Sequence, residues 1–129
     1  MPASQPEPFQ YAVLRVVPDA ERGECLNAGV VLFCRARAFL GARMRLDRSR
    51  LGALAPTLDP ETVDQHLEAL RRVALGDPDA GPVARLDRSE RFGWLVAPSS
   101  TVVQPSAVHT GLSDDPETTL ERLFTRLVG

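Results

Sequence analysis

At 129 residues the chain has the size of one domain, able to bury about two-thirds of its surface without disulfides or metals. Hydrophobic residues make up 43%, charged residues 25%, and the net charge is −2. These values exclude disordered, collagen-like and disulfide-scaffold chains, and a polyanion binder that works by overall charge. The longest wholly apolar run, Ala28 to Cys34, is too short to span a membrane. Met1 to Phe9 has neither the basic start nor the apolar stretch of a signal peptide, so a cytoplasmic protein is expected.

Residues 1–8 carry Pro2, Pro6 and Pro8 and read as a disordered tail before a single domain over 9–129. Phe9 to Val17 is apolar on both alternating faces and predicts a central strand ended by Pro18. Asp19 to Asn27 reads as a polar connection containing Gly23. Ala28 to Cys34 predicts a second strand. After a short connection, Phe39 to Leu46 alternates cleanly, with Leu40, Ala42, Met44 and Leu46 inward and Gly41, Arg43 and Arg45 outward. Three strands with short connections predict an antiparallel meander.

Asp47 to Leu54 predicts a short helical turn capped by Asp47. A clear helix follows: Asp59 caps it, Pro60 opens it and Gly76 stops it. Its stripe is Val63, Leu67, Leu70 and Ala74. Residues 76–82 form a loop. Residues 88–96 favour a short helix. Thr101 to Gln104 predicts a short strand ended by Pro105, and Ala107 to Thr110 extends it after a bend. Asp115, Pro116 and Glu117 start a last helix with the stripe Leu120, Leu123, Phe124 and Leu127. Helices that come mainly after strands predict an α+β fold: an antiparallel sheet of three to four strands, with two main helices on one face.

Every basic residue is Arg. Residues 35–50 hold Arg35, Arg37, Arg43, Arg45, Arg48 and Arg50 against Asp47, a local +5 that leaves −7 for the rest. Such a segment is either an anion-binding face or the solvated side of an edge strand. Cys25 and Cys34 lie on an extended segment, up to about 30 Å apart, so two free thiols are expected. No Cys/His spacing suits zinc, so no metal is expected. The absence of Lys excludes a P-loop.

The polar connection holds Arg15, Arg22, Glu24 and Asn27. Arg15 lies between Val13 and Val17 on its strand face and needs a carboxylate, for which Glu24 or Glu21 is nearest in sequence. Arg22 and Glu24 also suit a pair across the turn. His109 follows Ser99, Ser100, Thr101 and Ser106, yet no nucleophile elbow accompanies it. His66 sits at the apolar boundary of its helix and reads as packed or half-exposed.

The stretch Y-A-V-L-R-V-V-P-D-A-E-R-G-E-C-L-N-A-G-V-V-L-F-C, Tyr11 to Cys34, resembles the opening signature of the bacterial domain of unknown function 3037 family. The stretch S-S-T-V-V-Q-P-S-A-V-H-T-G-L, Ser99 to Leu112, followed by D-D-P-E, resembles that family's C-terminal signature. The resemblance implies a small cytoplasmic accessory protein, with a HipA-like kinase as partner. Convergence of the two signature blocks at one end of the sheet would form a candidate binding site of Arg15, Arg22, Glu24, Asn27, Ser100, Thr101 and His109.

The expected function is a binding or regulatory module that uses no cofactor and meets a protein partner. The alternatives are a small enzyme with Glu24 and His109 as an acid–base pair, or a nucleic-acid binder using Arg35 to Arg50.

Overall fold

A computed structural model describes residues 5–129. Strands β1 (Glu7–Asp19) and β2 (Glu24–Cys34) form a long hairpin, and β3 (Phe39–Met44) completes the meander. Helices α1 (Arg48–Leu54), α2 (Pro60–Leu75) and α3 (Arg88–Leu95) follow, then β4 (Val103–Pro105), β5 (His109–Ser113) and α4 (Pro116–Leu127). All pairings are antiparallel. The sheet runs β3-β2-β1-β4, and β5 also pairs with β1. The fold is thus α+β as expected, with five strands rather than three or four. Among the described residues no helix is long and apolar enough to cross a membrane.

The expected tail over 1–8 falls partly on residues 1–4, which lie outside the described residues. Glu7 and Pro8 belong to β1, opposite Ser113 and Leu112. The polar connection shrinks to residues 20–23, because both strands extend into it. Gly23 takes φ +70° there, a conformation that costs glycine little.

Helices cover both faces of the sheet, not one. On the first face, Ala12, Val31, Phe33, Leu40 and Ala42 pack against Val73 and Ala74 of α2 and Phe92 and Leu95 of α3. That layer continues through Leu14, Val16 and Leu26 to Leu51, Val63 and Leu67. On the second face, Phe9, Val30, Leu32 and Cys34 pack against Leu120 and Leu123 of α4. Gly41 explains the difference. Read as outward-facing, it leaves a groove that Leu120 enters; a Cβ there would lie 3.0 Å from Leu120 Cδ2. Each buried Leu or Val in these layers contributes about 1.5–3 kcal/mol.

The helix ends follow the sequence. Asp47, Asp59, Asp87 and Asp115 cap α1 to α4 through side-chain bonds to backbone N–H groups. Gly76 closes α2 at φ +72°. Arg91 of α3 donates to the carbonyl of Ala74 near that closure. Cys25 is exposed, Cys34 is buried, and both are free thiols.

Strands β4 and β5 are two pieces of one edge, broken at Ser106. The Ser106 Oγ accepts the Val13 N–H at 2.9 Å, and the Ser106 N–H donates to the Val13 carbonyl at 2.7 Å. A side chain thereby fills the gap in the ladder where the strand bends.

Candidate functional site

The clearest concavity lies on the first face, between α2, the end of α3 and β4. It encloses about 270 Å³, near the lower end of ligand-sized pockets. Its floor is apolar: Leu14, Leu70, Leu95 and Val103. The helical spacing of α2 carries Val63, Leu67 and Leu70 inward, so His66 emerges half-buried at the stripe's border. Trp94 stands beside it, 48% exposed. Phe92 and Leu95 take the inward positions of α3, which leaves Trp94 facing the cleft mouth.

The opposite rim is the segment from Ala97 to Thr101. Ser99 Oγ and Thr101 Oγ1 lie 2.8 Å apart, and Thr101 Oγ1 also donates to the Val103 carbonyl. Both hydroxyls are thus committed to a turn that shapes the rim. No carboxylate lines the cleft, and His66 has no hydrogen-bond partner among the described residues. An imidazole without an orienting acid or a nearby activated nucleophile does not form a hydrolytic triad. The arrangement suits recognition: an apolar slot, an aromatic ring at its mouth and an imidazole able to donate or accept one bond.

The residues proposed from sequence are spread along the sheet. Arg22 and Glu24 pair with each other at 2.5 Å across the hairpin turn, and their side chains are 70% and 44% exposed. Glu24 is therefore not the partner of Arg15. The short turn directs Glu24 back to Arg22, while Arg15 stands between Asn27 and Gln104 in the ladder. Its Nε is buried and has no hydrogen-bond partner. Asn27 donates to the carbonyl of Leu127, tying β2 to the end of α4. Thr101 lies on the cleft rim, beside exposed Ser100. His109 stands opposite Tyr11, with ring centroids 5.2 Å apart.

Glu24 pairs with Asp19 in the ladder and His109 with Tyr11, a separation of about 26 Å along β1. That distance rules out a shared proton-transfer site. The two signature blocks do meet, because β4 and β5 pair with β1. Arg15 lies beside Asn27, and Arg22 pairs with Glu24. The seven candidate residues nevertheless do not form one cluster, since His109 lies at the far end of β1 from Glu24. His66 and Trp94 were not among the expected site residues. The usable signal was Trp94 itself, off the Phe92–Leu95 stripe of its helix.

The basic segment does not form a strip. Arg35 bonds Ser89 and lies over Phe33. Arg37 donates to the Gln5 carbonyl. Arg43 pairs with Glu121 and covers the Phe124 ring, and Arg45 donates to the Gly129 carbonyl. Arg48 bridges Glu61 and Asp64, joining α1 to α2. These charges fasten helices and chain segments on different sides of the molecule. Near the end of α2, Arg72 holds the Asp77 carboxyl below the usual carboxylate range, helped by the Asp79 N–H.

A family model described as protein of unknown function (DUF3037) matches residues 11–128. No curated protein and no solved structure matches the chain.

Proposed function

The chain belongs to the DUF3037 family, and from that premise we propose that it is a small cytoplasmic binding module that recognises a protein partner through the α2–α3–β4 cleft. The observation that carries this reading is the exposed Trp94 beside half-buried His66 over an apolar floor. Exposed aromatics at the mouth of a slot are the residues that anchor protein partners. The volume suits one partner side chain rather than a large cofactor. The partner class supported by the sequence resemblance is a HipA-like kinase.

The test uses the chain's single Trp. Titration with a purified HipA-like kinase lacking tryptophan at the contact should shift Trp94 emission saturably. Trp94→Ala and His66→Ala should weaken the complex, measured by calorimetry, with the fold intact. A complex that forms with unchanged emission and tolerates both substitutions overturns the cleft. Absence of any complex overturns the kinase assignment.

A further inference from the structure

The two edges of the sheet are built differently. The β3 edge carries Arg43, followed by Arg45; Arg43 pairs with Glu121 of α4, and Arg45 donates to the carbonyl of Gly129 beyond that helix. Charges on an edge block pairing with another sheet. The β5 edge runs Val108, His109, Thr110, Gly111, Leu112, Ser113. It has no Pro, Arg, Asp or Glu, and Leu112 is 71% exposed, the largest value among the exposed large hydrophobic residues.

The hydrogen-bond parity of this edge follows from β1. Val13 exchanges bonds with Ser106, and the Val17 N–H donates to Val102. Odd-numbered residues of β1 therefore aim their backbone groups at β4 and β5. In the pairs Tyr11–His109, Phe9–Gly111 and Glu7–Ser113, the β5 members point inward. Thr110 and Leu112 then point their N–H and C=O groups outward. Among the described residues nothing bonds these groups: β5 pairs only with β1. The chain before β1 turns toward the other side, where Gln5 meets Arg37.

We propose that β5 is a self-complementary edge through which two copies of this chain pair antiparallel into one continuous sheet. With Gly111 on the twofold axis, Thr110 of one copy faces Leu112 of the other and exchanges both backbone bonds with it. His109 then faces Ser113, and Val108 faces Asp114, so no charge meets a like charge. Leu112 of the second copy lies beside Thr110, at the mouth of a hollow of about 460 Å³ lined by Pro8, Gln10, Phe33 and Thr110. The same register therefore satisfies the open backbone groups and covers the most exposed leucine. A second copy fits because the segment complements itself. This surface is separate from the α2–α3–β4 cleft.

Sedimentation of the full chain should show a reversible dimer at concentrations on the order of 100 µM or below, the range of modest affinities. Leu112→Lys places a charge on the edge, and Leu112→Pro removes an outward donor. Each should leave a monomer with an unchanged circular dichroism spectrum. Leu75→Lys, at an exposed position on α2, should leave the dimer intact. Amide exchange of the parent supplies an arm that needs no variant: Thr110 and Leu112 should be protected when concentrated and unprotected when dilute. A strictly monomeric parent overturns the proposal. So does a dimer that survives either edge substitution, a dimer lost in Leu75→Lys, or amide protection that ignores concentration.

Discussion

Where Ser106 meets Val13, one hydroxyl does the work of a backbone carbonyl in a buried ladder. Removing it by Ser106→Ala leaves the Val13 N–H enclosed and without a partner. Such a loss costs about 1–3 kcal/mol, read from the midpoint of chemical unfolding. Ser106→Thr keeps the acceptor and should recover most of that loss. Glu24→Gln provides the contrast. Its partner is the exposed Arg22, and solvent screens that pair, so stability should change by under about 1 kcal/mol. Thermal unfolding of this variant checks the point. A large drop would mean that Glu24 compensates Arg15 after all.

At the scale of elements, helix starts depend on local chemistry. The Asp115 carboxylate accepts bonds from the Thr118 side chain and backbone N–H. Asp115→Ala removes the cap and should lower the midpoint of chemical unfolding at neutral pH. The Thr118 bonds hold the Asp115 carboxyl below its ordinary range. A depressed folded value means that the contribution is present above the unfolded value of about 3.9 and is lost as pH falls through the folded one. Denaturation curves of the parent and Asp115→Ala should therefore converge below about pH 4. The caps at Asp47, Asp59 and Asp115, the α2 stop at Gly76 and the order of the meander were legible because each rests on residues close in sequence. The side on which α4 docks was not. Its stripe Leu120, Leu123, Phe124 and Leu127 shows that a face is buried, not what covers it; Gly41 and Val30, far away in the chain, decide that. The same holds for the site. The position of His66 on the border of the α2 stripe was readable, whereas the cleft exists only once Trp94 and the Ser99–Thr101 turn arrive from elsewhere. Arg22 and Glu24 were readable as a pair across the turn, but their separation from His109 follows from the β1 register.

For the molecule as a whole, the two thiols report on different events. Cys25 is exposed on β2, while Cys34 is sealed between β1 and α4. Under native, non-reducing conditions a thiol reagent should modify one group per chain rapidly. The second should react only at the rate at which the sheet opens. Rapid modification of both would show that the α4 layer detaches without global unfolding. The layer order also has a consequence for synthesis. All five strands precede α4 in the chain, and its docking alone covers Phe9, Val30 and Leu32 on the second face. As the chain leaves the ribosome, the first layer can close while the second stays wet until α4 emerges. In that interval the nascent sheet carries a bare apolar side, so a chaperone that holds it, or the rapid arrival of Leu120, sets how much of each new protein reaches its native state.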